Sequence, residues 1–131
     1  MFLLDTNTLI YFFKGRGKVA ERLFAVPPSE VAISSVSLYE IEVGIAKSSQ
    51  PAKRRRQFET FLAVVAVLPF DRAAARAAAR LRVDLERRGF PIGPLDNLIA
   101  GVASAHRATL VTRNTREFSR VPGLALMDWY D

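Results

Sequence analysis

Residues 2–13, FLLDTNTLIYFF, decide how this chain is read. Phe2, Leu3 and Leu4 form one apolar run and Leu9 to Phe13 a second, with Asp5, Thr6, Asn7 and Thr8 between them. The first run reads as a short strand, the polar residues as a turn, and the second run as a helix whose start an Asx or Thr side chain caps. Thr6 or Asn7 is the expected cap. That leaves Asp5 at the carboxyl end of a strand, where open α/β sheets form their ligand crevices.

The rest of the chain repeats the alternation. Short β-rich apolar runs occur at Phe2–Leu4, Val31–Ile33, Val64–Leu68, Thr109–Thr112 and Leu124–Met127. Helical patterns lie between them: Ser37 to Lys47, with Leu38, Ile41 and Ile45 on one face; the alanine-rich stretch from Arg72 to Arg88, ended by Gly89; and Pro94 to His106, with proline in the first turn. Strands that are continuously apolar are buried on both faces, so the expected fold is α/β, a mainly parallel sheet of about five strands between helical layers. Gln50-Pro51 and Phe90 to Gly93 read as loops.

A chain of 131 residues, half of them hydrophobic, is expected to form a single domain over residues 1–131 with a sizeable core. No apolar run reaches the roughly 18 residues that cross a bilayer, and no leader pattern opens the chain; a soluble, cytoplasmic protein is expected. The absence of cysteine excludes disulfides and thiolate metal sites. A net charge of +6 points to a polyanionic partner such as nucleic acid.

Against this basic background, acids mark the ends of elements. Asp5 follows the first strand, Glu40 and Asp96 sit in first turns of helices, and Glu117 follows the fourth strand in TRNTREF. Each has a purely structural account: Ser37 to Glu40 is a good capping box, Asp96 suits a helix dipole, and Asn114 to Glu117 could be a second box. Those accounts do not explain why all four fall where a doubly wound sheet gathers its ligands. Clustered carboxylates repel one another and either take up protons or bind a cation. With only His106 and no cysteine, the donors are hard oxygens, which select Mg²⁺ or Mn²⁺. Glu42, about 200° around the helix from Glu40, faces elsewhere. Gly44, one turn beyond Glu40, leaves room for close approach, and Thr6 and Asn7 are placed to orient Asp5 or a metal-bound water, or equally to cap the following helix.

The whole pattern resembles the PIN-domain ribonucleases, and among them the VapC toxins of bacterial toxin–antitoxin pairs. The resemblance is carried by LLDTNTLIYF, ISSVSLYEIEVGIAKS and IGPLDNLIAGVASAHRATLVTRNTREFSRVPGLALMDW, in this order and spacing. It implies a three-layer α/β/α sandwich and a Mg²⁺- or Mn²⁺-dependent endoribonuclease acting on a structured RNA such as a tRNA anticodon loop. It also implies a homodimer that assembles with, and is inhibited by, a VapB-like antitoxin. Carried over by position, Asp5, Glu40 and Asp96 match the family's metal site, with Asp5 and Asp96 as ligands and Glu40 as ligand or orienter of the attacking water. The fourth position stays open: many members have an aspartate where this chain has Asn114, whereas the TRNxxEF subgroup offers Glu117. One ion or two is open for the same reason.

Arg113 and Arg116, beside the proposed site, are the expected RNA contacts. Lys53 to Arg56 and the series Arg72, Arg76, Arg80 read equally as phosphate-binding surface or solvated helix faces. GRGKV at Gly15–Val19 lacks the spacing of a phosphate loop. His106 is read as a packing residue, and Tyr11, Phe12 and Phe13 as core or dimer contact. Two other functions compete: a module that binds RNA or a partner without cutting, and a phosphotransfer domain using Asp5, against which stand the missing second aspartate and the lack of a lysine after the late strands.

Overall fold

The computed structural model describes residues 1–131. Five strands, β1 (Phe2–Leu4), β2 (Val31–Ser34), β3 (Ala66–Leu68), β4 (Thr109–Val111) and β5 (Leu126–Met127), form one sheet in the order β3-β2-β1-β4-β5. Every pairing is parallel. Seven helices connect and cover them: α1 (Thr6–Phe13), α2 (Val19–Phe24), α3 (Ser35–Lys47), α4 (Pro51–Leu62), α5 (Arg72–Arg87), α6 (Pro94–Ala105) and α7 (Thr115–Phe118).

The central strand shows why three layers form. Side chains alternate across a strand. Leu3, Ala32 and Leu110 accordingly enter one core, with Ala74, Ile99, Val102 and Phe118 of α5, α6 and α7. Leu4, Ile33 and Val111 enter the other, with Leu9, Val19, Phe58 and Phe61 of α1, α2 and α4. A continuous apolar run is thus shared between two cores.

Several boundaries differ from the sequence reading. α3 begins at Ser35, not Ser37, because the hydroxyl of Ser34 takes the Ser37 amide at 3.0 Å. Ser37 to Glu40 is therefore no capping box, and Glu40 stands in the second turn. β3 is shorter than Val64–Leu68 and is an edge strand with exposed residues. α2 was not anticipated, and α4 only as the solvated helix face allowed for Lys53 to Arg56; Pro51 opens α4 rather than lying in a loop, as proline in a first turn allows. His106 follows α6 and is exposed, so it packs nothing. Phe90 to Gly93 is a loop, as expected.

α5 and α6 pack closely because the contact is made by small residues. A Cβ on Gly101 would stand 2.6 Å from Ala78 Cβ and 2.8 Å from the Ala74 carbonyl oxygen. Asn97 adds a buried hydrogen bond to the Ala78 carbonyl at 2.9 Å. Gly101→Ala is expected to destabilise the chain by about 1–3 kcal/mol, the cost of overpacking against backbone that cannot rotate away. Urea unfolding checks this, and an unchanged midpoint would show that the two helices separate freely.

Candidate active site

Strand order reverses at β1: the chain first builds outward through β2 and β3, then returns to place β4 and β5 on the other side. The crevice at such a switch point opens beyond the carboxyl ends of the strands. Asp5 lies there, directly after β1. Across the switch, Thr112 follows β4, and the parallel register Leu4 to Val111 makes these two residues the next neighbours.

Asp5 is only 4% exposed, and both its oxygens are held. Oδ1 accepts the Thr8 amide at 2.8 Å, and Oδ2 accepts the Thr112 hydroxyl at 2.6 Å. Asp5 itself, not Thr6 or Asn7, is therefore the cap of α1. The capping and the functional readings fall on one residue. Burial lifts its carboxyl above the ordinary range, the hydrogen bonds from Thr112 and Thr8 oppose this, and Glu40 adds to the rise.

Glu40 reaches the crevice from α3. Its Oε1 accepts the Thr6 hydroxyl at 2.6 Å, while Oε2 has no hydrogen bond within the chain. Thr6 also lies 3.0 Å from the hydroxyl of buried Ser37. Thr6 thus orients Glu40 rather than Asp5. On the far side of α3, Glu42 pairs with Arg55, as its angular position requires.

Asp96 and Glu117 complete the cluster. α6 runs into β4 through Arg107 and Ala108, so its first turn, carrying Asp96, lies at the carboxyl edge. Glu117 Oε1 accepts the Gly93 amide at 2.9 Å, and Oε2 accepts the Asn114 side-chain amide at 2.6 Å. Asn114 caps nothing with its side chain, so the second expected capping box is absent. Asp96, half-buried, makes no side-chain hydrogen bond or ion pair. Its carboxyl is raised to about 6, first by burial and then by the charges of Glu117, Asp5 and Glu40. The other three predicted acids are therefore within electrostatic reach of Asp96.

No protein cation neutralises them: the three ion pairs are Arg55–Glu42, Arg82–Glu86 and Arg88–Asp84. Unbalanced carboxylates, all offering hard oxygen, fit a divalent cation. The fit is one of charge and donor type, since no three of the acids stand close enough together to hold an ion as their side chains are placed. Thr6, Thr112, Gly93 and Asn114 hold Glu40, Asp5 and Glu117 in their present directions.

Asp5 and Asn7 share a cleft of about 260 Å³ with Tyr11, Arg113 and Asn114. Tyr11 thus belongs to the site, whereas Phe12 and Phe13 pack against Phe61 in the core. Arg113 and Arg116 are both exposed, and Arg113 alone of the two lines the cleft. Lys53 to Arg56 and Arg72, Arg76 and Arg80 are exposed on α4 and α5 and contribute nothing to it.

Sequence reasoning did not give Thr112 a role, although it is fully buried and holds Asp5. A threonine ending a strand is unremarked until the strand beside it is known. Ser37, completely buried beside Thr6, was missed for a similar reason.

The PIN domain family matches residues 2–124. The tRNA(fMet)-specific endonuclease VapC of Salmonella typhimurium is 38% identical over 98% of this chain and 97% of its own length. That of Shigella flexneri is 40% identical over the same shares. Among solved structures, DNA-bound VapBC from Salmonella typhimurium superposes with a TM-score of 0.91 at 38% identity, covering 98% of this chain and 97% of the other. VapBC2 from Rickettsia felis, bound to a fragment of its promoter, gives 0.89 at 33%, covering 98% of both chains. Matched almost end to end in sequence and in fold, the chain belongs to the PIN-domain family, in its VapC branch.

Proposed function

We propose that this chain is a metal-dependent endoribonuclease, the toxin of a toxin–antitoxin pair, which cuts a structured cellular RNA. The observation that carries the reading is Asp96, a half-buried carboxylate without a partner in the chain, facing three further acids in a protein of net charge +6. The basic surface attracts a polyanion; the acidic crevice repels it until a cation intervenes.

Asp5, Glu40 and Asp96 are the residues that would hold Mg²⁺ or Mn²⁺. Such an ion, when bound, neutralises the acids, polarises a phosphate oxygen and lowers the cost of forming the attacking hydroxide. The chain's own residues supply position. Asp5 is fixed at both oxygens yet keeps lone pairs free. Glu40 is aimed by Thr6 and has Oε2 available to orient water. Glu117, occupied by Gly93 and Asn114, acts chiefly as a positioning residue for the start of α6. The cleft around Asp5 has no lysine to hold a phosphoryl group, which weakens the phosphotransfer alternative.

The relatives in Salmonella and Shigella are named for tRNA(fMet), so tRNA is the first substrate to test. The solved neighbours are VapBC complexes, so a VapB-like antitoxin is the partner they support, and a second copy of the chain is included on the family resemblance alone. No helix is long and apolar enough to cross a membrane. Purified chain incubated with bulk tRNA and Mg²⁺ or Mn²⁺ is expected to give discrete new ends, lost with EDTA and with the co-expressed antitoxin. Intact tRNA with either ion would sink the nuclease reading; cleavage indifferent to EDTA would sink its metal dependence.

A further inference from the structure

Residues 14–18, Lys-Gly-Arg-Gly-Lys, join α1 to α2 in a turn. Gly15 and Gly17 take left-handed backbone, with φ of 64° and 61°. Gly17 is constrained twice, because a Cβ there would stand 2.7 Å from the ring and the carbonyl oxygen of Tyr130. The turn is therefore a seat for Tyr130. The Lys18 amide donates to the Tyr130 carbonyl at 2.8 Å. Arg22 holds the approach by donating to the Asp128 carbonyl at 2.6 Å, and Asp128 Oδ1 accepts the Tyr130 amide at 2.7 Å.

Seated in this way, Tyr130 meets Tyr11 edge-on at 4.9 Å. It offers its ring face to Arg113, whose guanidinium carbon lies 3.6 Å from the ring centroid. Arg113 and Tyr11 line the cleft that holds Asp5. Arg113 is exposed and belongs to none of the three ion pairs. A guanidinium stacked through its face keeps its N–H edge for hydrogen bonding: Tyr11 engages part of it, and the rest is free for a phosphate.

We infer that Tyr130, seated by the Gly15–Lys18 turn, is a positioning residue that holds Arg113 at the cleft beside Asp5 as a grip for an RNA phosphate. The inference rests on the nuclease reading. An unsupported arginine on an exposed loop samples many rotamers, and ordering it on binding opposes affinity. Stacking on Tyr130 orders it beforehand, in the cleft whose one acid is Asp5.

The test is fluorescence anisotropy with a short fluorescein-labelled single-stranded RNA at several salt concentrations, beside cleavage of tRNA. Arg113→Ala should weaken binding about tenfold and reduce the salt slope by about one. Tyr130→Leu keeps apolar bulk against Gly17 and Tyr11 but has no ring face, and should reproduce most of that loss; Tyr130→Phe should behave as the parent. The Arg113→Ala, Tyr130→Leu pair should bind no more weakly than Arg113→Ala alone. Arg113→Lys, a surface change that leaves the seat intact, should weaken binding several-fold, since charge is kept and the stacked fork is lost. Parental affinity in Tyr130→Leu or Arg113→Lys, or additive losses in the pair, overturns the inference while tRNA cleavage by the parent leaves the nuclease reading standing. A parent that neither binds nor cuts RNA overturns both.

Discussion

Replacing Asp96 by asparagine is expected to remove RNA cleavage and to make the fold more stable. Asparagine keeps the shape and removes the charge from a site where three other acids oppose it. Loss of one residue devoted to charge stabilisation lowers rates by roughly a hundredfold to a thousandfold, and a ligand to the ion belongs at the upper end. Stability moves the other way. Between the ordinary value of 3.8 and about 6, the folded chain holds more protons at Asp96 than the unfolded chain does. The stability this group allows is complete at low pH and declines as pH rises through about 6. Asparagine abolishes that decline. Discounted for screening of a half-exposed carboxylate, the gain near neutral pH is on the order of 1 kcal/mol, or about 4 °C in melting temperature. Mg²⁺ should raise the melting temperature of the parent more than that of the variant. Full cleavage by pure Asp96→Asn would remove Asp96 from the mechanism; lowered stability would mean that its charge is welcome in the crevice.

Asp96 gives a cleaner test than Asp5, and the reason bears on what the sequence can reveal. Asp5 was legible as an acid at a strand end, because a short apolar run followed by polar residues marks such an end. That it also caps α1 was not, since DTNT offers four capping residues and only the backbone path selects one. An asparagine here still caps α1 through its amide oxygen, but its NH2 group cannot accept the buried Thr112 hydroxyl, so Asp5→Asn mixes loss of function with a broken buried hydrogen bond. Glu40 and Asp96 were legible for the same positional reason as Asp5, although Glu40 sits one turn later than the capping pattern suggested. The sheet and its two covered faces were readable in the continuous apolar strands. α2 was not, and α4 only as an exposed basic face: VAERLF is too short to show a period, and the run of Lys53 to Arg56 hides the buried Phe58 and Phe61 behind it. What local pattern cannot supply is adjacency. Tyr130 and Gly17, or Asp5 and Thr112, meet only through the strand order and the path of the chain end.

Thr112→Val tests that adjacency at the centre of the site. Valine keeps the β-branched shape at the end of β4, so packing changes little, but Asp5 Oδ2 loses its 2.6 Å donor and the Asn114 amide loses its 3.0 Å acceptor. A buried acceptor left unpaired costs about 1–3 kcal/mol, which should appear in urea unfolding. The consequence for function is separate. The hydroxyl of Thr112 is the largest of the influences that hold the Asp5 carboxyl down against burial. Without it the charged form is less favoured and the carboxylate is free to turn, so cation affinity and cleavage should each fall roughly tenfold to a hundredfold. Thr112→Ser restores the donor and should recover most of both, whereas loss of packing alone would leave serine no better than valine. Calorimetric titration with Mn²⁺ beside tRNA cleavage separates the cases. If the valine variant binds Mn²⁺ and cuts tRNA at the parental level while folded, then Asp5 needs no support from β4, and the crevice between β1 and β4 is not where the chemistry occurs.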